Sequence, residues 1–255
     1  MAAVTHLNVT ATYQFNSGAF VWRTCEFMMR RQKSKIAAAL PEQYQLGYSE
    51  FLGCRIDLSL RPFIPRPETA QMVKAATLEL RRSAEPTIKC LDLFAGSGCV
   101  GLALLKHLSQ AEVDFGELEL KFLRQIQINL KLNKIAPSRY GLINTDVFSG
   151  VSFKYDRILA NPPYVAELQR DQVQDNVLVH EPAGALFAGP DGLALIRKFL
   201  AQVQDYLKPN GQLYMEFDPR QQQAIEQLLI KHGYKHYAFY RDSSGAWRWL
   251  RASKH

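Results

Sequence analysis

The chain has 255 residues, of which 47% are apolar and 22% charged, enough to bury one sizeable core with a small appended unit, and it reads as globular and soluble. Its formal net charge of +7 is uneven. There are 8 basic and 4 acidic residues over 1–67, 16 and 18 over 68–219, and 7 and 2 over 220–255, so the positive excess lies at the two ends and suits an acidic or nucleic-acid-associated partner.

The first segment, Met1 to Tyr13, lacks a basic stretch followed by an apolar one, so no secretory signal is expected. Residues 20–40 place Phe20, Val21, Phe27, Met28, Ile36 and Leu40 at helix-like spacing until Pro41, which predicts a small helical unit. Residues 44–64, with Tyr44, Phe51, Leu58, Leu60 and Phe63 around Gly47 and Gly53, predict a short hairpin leading to Pro65. The expected division is a helical extension over 1–40, a hairpin and linker over 41–67, and an α/β domain over 68–255.

From Glu68 the pattern alternates. Helices are predicted near 68–82, 99–108, 118–132, 192–207 and 220–231. The helix near 118–132 carries Leu118, Phe122, Ile126 and Leu130 four residues apart. Strands are predicted at 88–93, up to Asp114, and near 140–144, 156–160, 212–217, 236–240 and 246–251, with a long loop after the strand ending at Ala160. Such alternation implies a doubly wound, mostly parallel sheet covered on both faces. The densest apolar stretch, Cys99 to Leu105, is too short to span a bilayer. Cys25, Cys54, Cys90 and Cys99 form no Cys-x-x-Cys pair and no His spacing suits zinc, so reduced core thiols, no metal and a cytoplasmic location are expected.

Two motifs carry chemistry. The first is the glycine loop Asp92-Leu93-Phe94-Ala95-Gly96-Ser97-Gly98, whose continuation to Gly101 satisfies G-x-G-x-x-G, with Asp114 eighteen residues past Gly96. On spacing alone this fits a dinucleotide-binding dehydrogenase, because glycines let the backbone approach a ligand and a strand-end carboxylate accepts hydrogen bonds from two ribose hydroxyls. Asp92, inside the strand end, suits a positively charged methionine moiety better than a pyrophosphate. Asp146, in Thr145-Asp146-Val147-Phe148, stands where an adenine amino group would be read, with Val147 or Phe148 against the base; a plain strand-end cap is the alternative.

The second motif is Asn161-Pro162-Pro163-Tyr164, directly after an apolar strand. An amide or exocyclic amino nitrogen is a poor nucleophile because its lone pair is delocalised, so a site acting on it must orient it and accept its hydrogens. Two prolines make a rigid turn that aims carbonyls outward, Asn161 adds an amide oxygen and Tyr164 a flat face. The pair of motifs points to methyl transfer onto a planar nitrogen and leaves the dehydrogenase reading with no task for the tetrapeptide. Glu181, in His180-Glu181-Pro182, is either a site carboxylate or a solvated loop charge.

These residues resemble the HemK/PrmC family of protein-(glutamine N5) methyltransferases, which act on the glutamine of the Gly-Gly-Gln motif of class I peptide-chain release factors. The resemblance covers roughly residues 41–255. It rests on Pro41-Glu42-Gln43-Tyr44 through Phe51-Leu52-Gly53, on Ile64-Pro65-Arg66-Pro67-Glu68-Thr69, on the tetrapeptide, and on Glu181 through Gly189 followed by Asp191-Gly192. It implies a class I S-adenosylmethionine-dependent methyltransferase fold with a seven-stranded sheet. It also implies a cofactor held by Asp92, Phe94, Ala95, Gly96, Ser97, Gly98, Asp114, Asp146, Val147 and Asn161. Catalysis would fall to Asn161, Pro162 and Tyr164, with the substrate amide on Asn161, Pro162, Pro163 and Tyr164. A monomer acting on a release factor is expected, without sequence-specific nucleic-acid binding or membrane attachment. Three departures stand out: Phe94 in place of the usual first glycine, Ala70 in place of a common acidic residue, and a short region before the hairpin. A nucleic-acid amino methyltransferase uses the same tetrapeptide and remains an alternative, as does a non-catalytic cofactor-binding assembly protein.

Overall fold

The computed structural model of the chain describes residues 40–253. The expected helix over 20–40, save Leu40, and Cys25 lie outside the described residues. Helix α1 (Glu42–Leu46) occupies the segment expected to start the hairpin and is closed by Gly47 at φ 78°. The hairpin itself is β1 (Tyr48–Phe51) and β2 (Cys54–Asp57). Its two-residue turn, Leu52 and Gly53, has φ of 48° and 78°, the left-handed pair that matches the twist of antiparallel strands.

Pro67 opens helix α2 (Pro67–Leu80), where its missing N–H costs nothing and its fixed φ suits the first turn. Then follow β3 (Ile88–Leu93), α3 (Cys99–His107), β4 (Ala111–Glu117), α4 (Leu120–Leu132), β5 (Tyr140–Asn144) and β6 (Tyr155–Ala160). The long loop after β6 holds a short helix α5 (Asp175–His180). The chain closes with α6 (Ala194–Gln202), β7 (Leu207–Glu216), α7 (Gln222–Lys231), β8 (His236–Arg241) and β9 (Trp247–Ser253).

The large sheet has seven strands in the order β5-β4-β3-β6-β7-β9-β8. Neighbours from β5 to β7 are parallel, and β9 runs antiparallel between β7 and β8. That inserted strand separates the fold from the six-strand parallel order of dinucleotide-binding dehydrogenases. Two apolar clusters cover the faces. On one side Cys90, Leu159 and Tyr214 meet α2, α3, α4 and the hairpin. On the other Leu91, Leu93, Ile158, Ala160, Leu213 and Met215 meet α6, α7 and Phe148. The alternation along each strand assigns successive side chains to opposite faces. Cys54, Cys90 and Cys99 are buried free thiols, as expected of core cysteines.

Two contacts fix what surrounds the loop after β3. Gly101 of α3 lies against β4 so closely that a Cβ there would sit 2.4 Å from the Phe115 ring, so only glycine allows this approach. Gln125 and Asn129 of α4 and Asn133 just past its end stand one turn apart and clamp the hairpin. Asn133 accepts from Arg55 N at 3.1 Å and donates to Arg55 O at 2.8 Å, while Asn129 accepts from Asp57 N at 2.7 Å and donates to Ser97 O at 2.9 Å. Gln125 accepts from Leu60 N and donates to Asp57 O, both at 2.8 Å. The side-chain amides thus pair backbone groups along β2 and at Leu60 and Ser97 that the sheet leaves without strand partners. Leu118, expected on the apolar face of α4, precedes the helix and is 63% exposed.

Candidate active site

A cavity opens at the C-terminal ends of the parallel strands, where ligands of open α/β sheets bind. Its walls are residues 92–97 at the end of β3, 116–119 at the end of β4, 145–147 after β5 and 161–165 after β6, with Phe63, Pro65, Arg66 and Thr69 beside them.

The first wall is a tight turn. Phe94 has φ 61° and Gly96 φ 54°, both left-handed. A phenylalanine in that region costs about 1–2 kcal/mol against glycine, and its ring packs edge-on against Phe199 at 6.3 Å. Asp92 is 2% exposed and accepts from Gly101 N at 2.8 Å. Burial pushes its carboxyl up to about 8, with Glu117 adding to the effect and the Gly101 N–H opposing it. A cation beside Asp92 would therefore be strongly favoured.

Glu117, the last residue of β4, faces this turn. One carboxylate oxygen accepts from Gly96 N at 2.9 Å and the other from Glu119 N at 3.0 Å. Each oxygen keeps a lone pair, the arrangement that suits a vicinal diol. Burial raises its pKa, against the Glu119 and Gly96 N–H groups. In the third wall Val147 has φ 55°, a conformation costly for a β-branched residue. Thr145 holds it there, its hydroxyl donating to Val147 O at 3.0 Å and accepting from Gly150 N at 2.9 Å. Asp146 lines the cavity, with one carboxylate oxygen 2.6 Å from Lys198 Nζ. Together the close backbone of the glycine turn, the two-oxygen acceptor and the strained turn fit an adenosyl cofactor with a cationic tail.

The fourth wall is the tetrapeptide. Asn161 Nδ2 donates to Thr69 Oγ1 at 3.3 Å, Thr69 donates to Glu216 at 2.7 Å, and Tyr164 OH donates to the other Glu216 oxygen at 3.2 Å. Glu216 is 1% exposed. Its pKa is pushed up to about 7 by burial, against the Thr69 and Tyr164 hydroxyls and Arg248, with Glu68 adding to the rise. Gln221 Nε2 holds the Tyr164 carbonyl at 2.9 Å. Glu181 is buried, accepts from Ile64 N at 3.2 Å and pairs with Arg66, which also stacks on Phe63. It is neither a solvated loop charge nor a cavity group; it ties the loop after β6 to the entry of α2.

The structure brings Asp92, Phe94, Ala95, Gly96, Ser97, Asp146, Val147, Asn161, Pro162, Pro163 and Tyr164 to one cavity. Two expected residues fall elsewhere. Gly98, at φ 77°, turns the chain into α3 and packs against Ile126. Asp114 is mid-strand, because β4 continues three residues beyond it. Its carboxylate accepts from Tyr155 OH at 2.9 Å, lies 3.6 Å from Lys89 Nζ, and fits over Gly141 of β5, whose missing Cβ makes the room. Glu117 takes the strand-end position instead. The signal was present: Phe115 continues the apolar alternation of Val113, and Glu117 is twenty-one residues past Gly96. Thr69 closes the Ile64–Thr69 segment that carries part of the resemblance, but nothing local gives it a site role, and nothing local marks Glu216.

Comparison with known proteins agrees with this geometry. The family pattern described as methyltransferase small domain matches residues 72–191. The chain is 36% identical over 198 residues to the release factor glutamine methyltransferase of Streptococcus pneumoniae, covering 78% of this chain and 69% of that one. It is 31% identical over 236 residues to the protein of the same name from Flavobacterium psychrophilum, covering 91% and 79%. Among solved structures, the ribosomal protein L11 methylase of Lactobacillus delbrueckii shares the fold at a TM-score of 0.55 and 20% identity, covering 78% of this chain and 82% of that one. The Thermus thermophilus 16S rRNA N2 G1207 methyltransferase does so at 0.58 and 19%, covering 82% and 50%. With a class I methyltransferase fold and relatives of this identity over most of its length, the chain belongs to the release factor glutamine methyltransferase family.

Proposed function

We propose that the chain transfers the methyl group of S-adenosylmethionine to the side-chain amide nitrogen of the glutamine in the Gly-Gly-Gln motif of class I peptide-chain release factors. When bound, S-adenosylmethionine supplies a methyl carbon made electrophilic by its sulfonium sulfur, suited to direct in-line transfer. Glu117 accepts from the ribose hydroxyls, Asp92 faces the cationic methionine end, and Val147 with Asp146 borders the adenine. Asn161 Oδ1 and the Pro162 carbonyl accept the two amide hydrogens of the glutamine, which draws the nitrogen lone pair out of conjugation and toward the methyl. Pro163 keeps the turn rigid and the Tyr164 ring bounds the amide plane. Orientation and preorganised acceptors supply most of the acceleration.

The observation that carries this reading is that the tetrapeptide and the glycine turn open into one cavity, in a chain of this family. The enzyme acts as a monomer in the cytoplasm. Residues 1–40 and the basic ends add electrostatic attraction to the factor or its RNA-rich surroundings, so association weakens as salt rises. Residues 41–67 join that extension to the methyltransferase domain. Among the described residues no helix is long and apolar enough to cross a membrane. The test is incubation with labelled cofactor and an unmethylated release factor, followed by mass spectrometry. One added methyl on the Gly-Gly-Gln glutamine is expected. Label on adenine or guanine with the factor unmodified hands the case to a nucleic-acid amino methyltransferase, and cofactor binding without turnover to an assembly protein.

A further inference from the structure

The carboxyl group of Glu216 lies behind the tetrapeptide, outside the cavity lining, and holds both of its ends. It reaches the last residue directly through the Tyr164 hydroxyl and the first through Thr69, whose Oγ1 lies 2.7 Å from the carboxylate and 3.3 Å from Asn161 Nδ2. An asparagine amide presents oxygen and nitrogen at nearly the same place when flipped, so its partners alone decide which atom faces the substrate. Asn161 would fail as an acceptor if it were turned.

We propose that Glu216, acting through the hydroxyl of Thr69, is a positioning residue that fixes the Asn161 amide with its oxygen toward the methyl-acceptor nitrogen. The inference rests on the role proposed above for Asn161. An ionised carboxylate only accepts, so the single Thr69 proton must point at Glu216. Thr69 Oγ1 then has only lone pairs left for Asn161, which must offer it Nδ2–H. Oδ1 is left facing the cavity. The Tyr164 proton is committed to Glu216 in the same way, which holds the ring.

Protonating Glu216 removes this order. A neutral carboxyl donates to Thr69, Thr69 donates to Asn161, and the amide turns its NH2 toward an acceptor that itself carries two hydrogens. Around Glu216 stand Glu68 and Thr69 of α2, Cys99 at the start of α3, Tyr164, and Arg248 of β9, whose guanidinium is paired with Asp242 at 2.9 Å. Asp218 follows two residues after it and pairs with Arg220. Burial outweighs the cation and the two hydroxyls and sets the Glu216 pKa at about 7, so the orientation is lost as pH falls through neutrality.

The test is the single-turnover rate on an intact release factor under saturating S-adenosylmethionine, from about pH 5.5 to about 8.5, with cofactor affinity measured separately by calorimetry. The wild-type rate should fall as pH drops below about 7. Glu216→Gln should lower the rate at the alkaline end by about 10- to 100-fold, the scale for residues that orient a contacting group, and should flatten the profile. Thr69→Val should fall with it, whereas Thr69→Ser should keep both rate and profile, and cofactor affinity should hold in all three. A Glu216→Gln enzyme with wild-type rate and profile, or a Thr69→Val enzyme as active as Thr69→Ser, overturns the inference. If the wild-type chain methylates a nucleobase instead, the acceptor assignment fails, and the same variants assayed on that base decide on Glu216 by the same criteria.

Discussion

Replacing Glu117 and Asp114 of β4 in turn distinguishes a carboxylate that binds cofactor from one that braces the sheet. Both Glu117 oxygens are held by N–H groups of Gly96 and Glu119 at 2.9 and 3.0 Å, so the carboxylate is preorganised where it lines the cavity. Glu117→Ala removes the charged acceptor for two ribose hydroxyls and leaves the Gly96 N–H without its partner. A hydrogen bond to a charged group contributes roughly 1.5–3 kcal/mol. If water replaces about half of the two-bond loss, cofactor affinity falls by about 1.5–3 kcal/mol, or roughly 10- to 150-fold at about 1.4 kcal/mol per decade. Asp114→Asn should leave cofactor affinity within about twofold while weakening the Tyr155 and Lys89 contacts, at a cost of about 1–2 kcal/mol in stability. Calorimetric titration of both variants with S-adenosylmethionine, alongside urea unfolding, reads the two effects separately. A larger affinity loss in Asp114→Asn than in Glu117→Ala would refute the reasoning.

The Asp92 carboxyl, at about 8 in the folded chain against 3.8 for the free group, works against folding as pH rises between those values, because the folded state keeps a proton that the unfolded state has released. A bound cation lowers that pKa, so cofactor binding near neutrality should release a proton and tighten with pH until about 8; calorimetry in buffers of different ionisation enthalpy should show the release, and proton uptake would contradict it. Gly101→Ala places a Cβ 2.4 Å from the Phe115 ring and should cost about 1–3 kcal/mol by overpacking, lowering Tm by about 2–4 °C per kcal/mol; an unchanged Tm would mean that α3 shifts freely. Asn161→Ala should lower single-turnover rates by about 10²- to 10³-fold, and a near-normal rate would remove the tetrapeptide from the chemistry. Tyr164→Phe, which deletes the hydroxyl donated to Glu216 but keeps the ring, should retain more activity than Tyr164→Ala; equal losses would assign the effect to the hydroxyl.

What the sequence determined by itself was whatever rests on local periodicity and turn chemistry. The strands at Ile88–Leu93 and Tyr140–Asn144 have the expected ends, the first running into the glycine turn at Phe94–Gly98 and the second into Thr145-Asp146-Val147. The glycine turn and the tetrapeptide were legible for the same reason, since glycine and proline restrict the backbone wherever they stand. Tertiary structure decided which carboxylates do what. Asp114 looked like the strand-end acid by spacing, yet β4 runs on to Glu117 because its pairing with β5 continues to Asn144. Glu181 could be read from the sequence as either a site carboxylate or a solvated loop charge, and it is buried against Arg66, 115 residues away. Thr69, Asn161 and Glu216 come from α2, the end of β6 and the end of β7, so no local pattern could join them; they meet because parallel strands place their C-terminal ends along one edge and α2 packs across it. A carboxylate's ionisation depends on burial and on partners that long-range pairing supplies, and neither is written in its neighbours along the chain.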